Sequence, residues 1–236
     1  METNDSQTHG RSDVIVVVPA FNESAVVAES VRGIQAFGHS VIVVDDGSTD
    51  NTSIEAKAAG ALVVRHPVNL GQGAAIATGI QFAVTSPNLR NWRYLVTFDA
   101  DGQHDATSID SLCGPLRTGV YDIVFGTRFW SGGTKGIRFS KRALLRLAVM
   151  LTRATHGLPV TDTHNGFRAM TRRVCSQIRI QHAGMAHASE FLSETKRHSL
   201  RYLEFPVEIR YTSYSKTKGQ SSWNAINILF DLVLKK

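Results

Sequence analysis

Five short runs of mostly apolar, often β-branched residues mark the first half of this 236-residue chain, at 14–18, 41–44, 61–64, 94–98 and 122–125. None alternates with polar residues, which is the pattern of strands covered on both faces. Helical spacing fills the intervals near 24–37, 52–59, 73–85 and 106–118, with Gly38 and Gly60 at C-terminal stop positions. The order βαβαβαβαβ predicts an α/β fold with a mostly parallel central sheet, right-handed crossovers and flanking helices.

The second half is less regular. A basic amphipathic helix is predicted over 135–157, a strand over 207–211, a polar loop over 212–222 and a helix over 223–234. A chain of this length suits one large domain. We expect a polar tail at 1–12, the main domain at 13–222 and an amphipathic terminal helix at 223–236. Charge divides the same way. Residues 1–127 hold 7 Lys and Arg against 14 Asp and Glu, and residues 128–236 hold 19 against 6. An acidic half suits a cation, and a basic half suits phosphates or an anionic surface. Cys113 and Cys175 stand alone, which excludes a disulfide framework and a Cys-rich zinc site and points to a reducing compartment. No stretch reaches the roughly 20 apolar residues of a spanning helix.

In open parallel sheets, ligands bind beyond the carboxyl ends of the strands. Three strand ends here carry polar clusters: Pro19-Ala20-Phe21-Asn22-Glu23, Asp45-Asp46-Gly47-Ser48-Thr49-Asp50 and Asp99-Ala100-Asp101-Gly102-Gln103-His104. Asp99 and Asp101 lie two apart in extended chain and so face the same way. Such a pair either holds a hard divalent ion or caps a turn. Asn69-Leu70-Gly71-Gln72-Gly73 opens a helix but lacks the third glycine of a dinucleotide fingerprint and follows the third strand, so hydride chemistry is disfavoured. Gly73 there serves either a close ligand approach or a simple turn.

These motifs, with Gly126-Thr127-Arg128 and Asp162-Thr163-His164-Asn165-Gly166-Phe167-Arg168, resemble the family-2 inverting glycosyltransferases of GT-A fold. Within them the resemblance runs closest to the polyprenyl-phosphate sugar synthases, of the dolichol-phosphate mannose synthase type. It implies that Pro19, Ala20, Phe21, Glu23, Asp46, Gly73, Asp99 and Ala100 hold a UDP- or GDP-linked hexose. It places Asp99, Asp101 and Gln103 around Mg2+ or Mn2+, with Asp101 and Gln103 as direct ligands. Arg128, Arg138, Arg168, Lys216 and Lys218 would meet donor or acceptor phosphates. The catalytic set is Asp101, Arg128, Asp162, Lys216 and Lys218, with Asp162 either a base or a structural cap. A QxxRW motif is absent, so polymerisation is disfavoured.

The implied reaction is metal-dependent transfer of one hexose to a membrane polyprenyl phosphate, for cell-envelope glycan or glycoprotein synthesis. Inverting displacement must neutralise the departing nucleoside diphosphate, and a phosphate acceptor needs cations rather than a base. The helix at 135–157 would then lie on the membrane, or else pack on the sheet with a solvated basic face. Expected partners are the nucleotide-sugar, the polyprenyl phosphate, the membrane surface and a membrane-embedded protein. No nucleic-acid module is present. The expected location is the cytoplasmic face of a membrane, as a peripheral protein. Rival readings are transfer to a hydroxyl of a lipid-linked or envelope glycan, a sugar-phosphate nucleotidyltransferase, and a non-catalytic nucleotide-sugar-binding subunit.

Overall fold

The computed structural model describes residues 12–128, 158, 160–163, 165–184 and 186–208. Five parallel strands carry the frame: β1 (Val14–Ala20), β2 (Ser40–Asp45), β3 (Leu62–Arg65), β4 (Tyr94–Thr97) and β5 (Ile123–Thr127). They are separated by α1 (Val27–Gln35), α2 (Thr52–Ala58), α3 (Gln72–Thr85) and α4 (Ser108–Arg117). Then come β6 (Arg168–Thr171), α5 (Arg172–Gln177), α6 (His187–Arg197) and β7 (Tyr202–Pro206).

The seven strands form one sheet in the order β3-β2-β1-β4-β6-β5-β7. β6 runs antiparallel to both β4 and β5 and separates them. The sequence did not announce this strand, because Arg168-Ala169-Met170-Thr171 has neither β-branched density nor alternation. A strand that the sequence did not predict precedes the range 207–211. Tyr202–Pro206 pairs parallel with β5, Pro206 ends it, and Val207 and Glu208 are outside it. Residues 209–211, the helices expected over 135–157 and 223–234, and Arg138, His164, Lys216 and Lys218 lie outside the described residues.

Both faces of the sheet are covered. Val14, Val16, Val18 and Ala20 of β1 enter one core with Val27, Val31 and Ile34 of α1 and Ile109, Leu112 and Leu116 of α4. Ile15 and Val17 point to the other core, built with Ala75, Ile76 and Ile80 of α3 and Phe191 and Leu192 of α6. A strand buried on both faces has no polar side, which accounts for the continuous apolar runs. Each fully buried Val or Ile contributes roughly 1.5–3 kcal/mol. Among the described residues, no helix is long and apolar enough to cross a membrane.

Candidate active site

The carboxyl ends of β1, β2 and β4 lie side by side in the sheet, so their loops share one edge. The loops after β1 and β2 are laced together. Asn22 takes a positive φ of 53° and donates its N–H to Ser48 Oγ at 2.9 Å. Its side-chain oxygen accepts from Thr49 N at 2.9 Å, and Glu23 N donates to Thr52 Oγ1 at 2.8 Å. This lacing leaves Phe21 at the rim, 41% exposed, with Glu23 half-buried beside it. Pro19 and Ala20, expected at the donor, are buried inside β1 instead. They complete the strand on which the loop is mounted.

Asp46 is buried, and its carboxylate is engaged within the fold. Oδ1 accepts from Leu70 N at 2.9 Å and lies 2.7 Å from His66 Nδ1, while Oδ2 accepts from Gly71 N at 2.7 Å. These bonds tie the end of β2 to the entrance of α3. Gly73 is engaged within the fold in the same way. Its N–H donates to Ala183 O at 2.8 Å, and a Cβ there would fall 2.0 Å from His182 O. The space beside α3 is filled by the segment 182–184, so the glycine admits chain and not ligand.

Asp99 and Asp101 follow β4. Asp99 Oδ1 accepts from Gln72 Nε2 at 3.0 Å, and Oδ2 lies 3.0 Å from His104 Nε2. The His104 ring is buried against Phe98 and Phe167, with centroids 5.5 and 4.9 Å away. Gly166 packs directly on the carboxylate, since a Cβ there would sit 2.4 Å from Oδ2. Burial pushes the Asp99 carboxyl up, but the His104 hydrogen bond and the charges of His104, Arg168 and His187 outweigh it and hold it below the usual range. Asp101 goes the other way: burial first, then the Asp99 charge, push its carboxyl up. Asp101 Oδ1 and Oδ2 accept from Gln103 N at 3.1 Å and Gln103 Nε2 at 2.5 Å. Ala100, between them, is buried in the core, and its carbonyl accepts from Ser30 Oγ at 2.9 Å.

The donor set suits a hard divalent ion. Asp101 and Gln103 offer carboxylate and amide oxygens, and a cation would relieve the Asp99–Asp101 repulsion. Among the described residues no group of three or more His, Cys, Asp and Glu could hold a metal by itself. Beyond Asp101 and Gln103, the oxygens of a substrate diphosphate would complete such a coordination shell.

Across the sheet, Arg128 and Asp162 meet each other. Arg128 Nε donates to Oδ2 and Nη2 to Oδ1, both at 2.7 Å. Glu204 of β7 holds this turn in place, accepting from Thr161 N at 2.6 Å and Asp162 N at 3.3 Å. Arg168, expected at an acceptor phosphate, is 1% exposed. Its guanidinium lies over the Phe191 ring at 4.9 Å and donates from Nη2 to Thr163 O at 3.2 Å. It therefore sits beneath the site, away from any surface a lipid phosphate could reach.

Sequence reasoning missed Gln72 and the support role of His104, Gly166 and Glu204. Gln72 was legible only as part of the Leu-Gly-Gln-Gly turn. Gly166 and Glu204 become neighbours of Asp99 and Asp162 through the pairings of β6 and β7, whereas the loop after β4 itself folds His104 back onto Asp99.

Residues 15–179 match the family described as Glycosyl transferase family 2. An uncharacterized protein of Methanocaldococcus jannaschii is 33% identical over 242 residues, spanning 100% of this chain and 98% of the relative. The UDP-N-acetylglucosamine–dolichyl-phosphate N-acetylglucosaminyltransferase of Methanococcus voltae is 27% identical, spanning 94% of this chain and 96% of its own length. Among solved structures, glucosyl-3-phosphoglycerate synthase from Mycobacterium tuberculosis, in complex with Mn2+, UDP and phosphoglyceric acid, superposes with a TM-score of 0.66. It is 25% identical, with 94% of this chain and 78% of that chain covered.

Proposed function

The chain belongs to glycosyl transferase family 2, an enzyme of GT-A fold, and from that premise we propose that it transfers one hexose from a UDP- or GDP-linked donor to a membrane polyprenyl phosphate. The observation that carries the acceptor is the Arg128–Asp162 fork. A hydroxyl acceptor needs a carboxylate within about 2.6–3.2 Å to take its proton. Asp162 is buried and holds Arg128 with both oxygens, and Glu190 accepts from Gln181 N and His182 N at 2.9 Å. A phosphate acceptor arrives already anionic and needs no base. The name of the Methanococcus voltae relative, which acts on dolichyl phosphate, supports the same reading.

In this proposal Phe21 and Glu23 meet the base and ribose at the rim. Asp101 and Gln103 hold Mg2+ or Mn2+, which supplies charge neutralisation for the departing diphosphate. Asp99, fixed by Gln72 and His104, sets the direction of the loop that carries Asp101. Arg128, oriented by Asp162, presents its cation to phosphate from the opposite side. The basic half supplies further cations, Arg138, Lys216 and Lys218 among them, for an acceptor embedded in an anionic membrane. The chain would thus work as a peripheral protein at the cytoplasmic face.

The test is transfer of radiolabel from a panel of nucleotide-sugars, with Mn2+ or Mg2+, into polyprenyl phosphate in detergent, with Asp101→Ala alongside. Organic-extractable, mild-acid-labile label that disappears in the variant is expected. Donor turnover with no lipid label would move the acceptor to a hydroxyl, as the phosphoglycerate-binding structural relative suggests.

A further inference from the structure

Among the described residues, Arg168 is the one Lys or Arg that is buried. It is 1% exposed, and among the described residues its Nε and Nη1 have no hydrogen-bond partner. A buried guanidinium left incompletely bonded is costly, and arginine does not escape the cost by losing its proton. Burial draws its pKa down to about 10, against the fields of Asp99 and Asp162, so it stays charged at neutral pH.

Its placement ties it to the metal-side carboxylate. Arg168 faces Thr97 across the β4–β6 ladder, two residues before Asp99. Gly166, two residues before Arg168, packs on the Asp99 carboxylate, and its carbonyl accepts from Thr97 Oγ1 at 2.5 Å. No ion pair is formed with Asp99, whose oxygens go to Gln72 and His104. The charge of Arg168 therefore acts as a field beneath the site.

We propose that Arg168 is a built-in counter-cation to the Asp99–Asp101 pair, a positioning residue that keeps the site's own affinity for a divalent ion low, so that metal is retained only together with the donor diphosphate. This rests on the metal-dependent reading above. Two adjacent carboxylates with no cation repel each other, and Arg168 makes the nucleotide-free arrangement tolerable. The same charge opposes a divalent ion at Asp101. The diphosphate, bringing its own negative charges and oxygen ligands, restores the balance. Metal and nucleotide then bind and leave as one unit, which suits a cycle that must release the nucleoside diphosphate after each transfer.

The experiment is Mn2+ titration by electron paramagnetic resonance on the full chain, as wild type, Arg168→Met and Arg168→Lys, each with and without UDP. Thermal midpoints are recorded in parallel. Removing a unit charge from beneath a divalent site tightens nucleotide-free Mn2+ binding by about tenfold or more in Arg168→Met. Arg168→Lys, which keeps the charge, stays near wild type. A damaged fold would not tighten metal binding, so the sign separates this role from packing. Loss of the cation leaves Asp99 and Asp101 uncompensated, so Arg168→Met lowers the metal-free thermal midpoint, and Mn2+ restores part of it. Unchanged or weakened Mn2+ binding in Arg168→Met overturns the proposal, and so does failure of that variant to fold. A wild-type chain that binds no Mn2+ even with UDP would overturn the metal reading itself, and this inference with it.

Discussion

Asp162 grips Arg128 in a side-by-side fork, both contacts at 2.7 Å, and accepts the Arg128 backbone N–H at 3.0 Å as well. Bidentate pairs of this kind fix a guanidinium in direction as well as position. Replacing Asp162 by Asn keeps the shape but leaves the cation uncompensated. Removing one partner of such a pair costs on the order of 3 kcal/mol. We expect Asp162→Asn to lower the urea midpoint and to reduce donor turnover, with Arg128→Gln reducing turnover to a similar degree. Asp162→Asn with full turnover would dismiss the pair as an orienting device.

Glycines in two helices should respond in opposite senses. Gly33 in α1 has open space where a Cβ would go, so Gly33→Ala gains about 0.5–1 kcal/mol from helix propensity. Gly73 in α3 has His182 O at 2.0 Å and His187 Cβ at 2.8 Å from that position. Gly73→Ala must push the 182–184 segment away and loses roughly 1–3 kcal/mol. Denaturant melts without nucleotide check both. A neutral Gly73→Ala would mean that the glycine is there for a ligand after all.

Acid should weaken one particular seam. Asp122, just before β5, accepts from Arg201 Nε at 2.9 Å, Arg201 Nη2 at 3.0 Å and Arg173 Nη2 at 2.6 Å. The Arg201 hydrogen bond, reinforced by Arg173, holds its carboxyl well below the usual carboxylate range. A depressed folded-state pKa gives stability that is fully present above the unfolded value, near 3.9, and is lost as pH falls toward the folded one. The gap in urea midpoint between wild type and Asp122→Asn should therefore be largest at neutral pH and shrink steadily below about pH 4. A gap that is independent of pH would sink the assignment.

Thiol reagents should find nothing on the native protein. Cys113 and Cys175 are both buried, and burial pushes the Cys113 thiol up to about 12 and that of Cys175 higher still. Neither offers thiolate at neutral pH, and thiolate is the reactive form. Ellman's reagent should titrate no thiol in buffer and both in guanidinium. Rapid native labelling would show that one helix face opens.

Much of the fold was legible because burial on both faces leaves a one-dimensional trace. Runs such as 14–18 and 41–44 lack polar residues for the reason that α1 and α4 cover one side and α3 the other. The polar clusters after β1, β2 and β4 were legible too, since strand ends in a parallel sheet must share an edge. Strand order alone puts the loops that carry Phe21, Glu23, Asp99, Asp101 and Gln103 on one edge. β6 was not legible, because a four-residue antiparallel strand is defined by its neighbours and not by its own composition.

What the sequence determined by itself was the parallel frame, the acidic edge and the chemistry its oxygen donors favour, because these depend on local periodicity and residue type. Only the tertiary structure decided which charged groups face a ligand and which face each other. Asp46 turned inward to His66, Leu70 and Gly71. Asp162 closed on Arg128, and Arg168 went beneath Asp99. A charged side chain in a loop reads the same whether it meets solvent, substrate or a partner 34 residues away. Its role is fixed by desolvation and by the hydrogen bonds that offset it, and both arise only when distant segments pack.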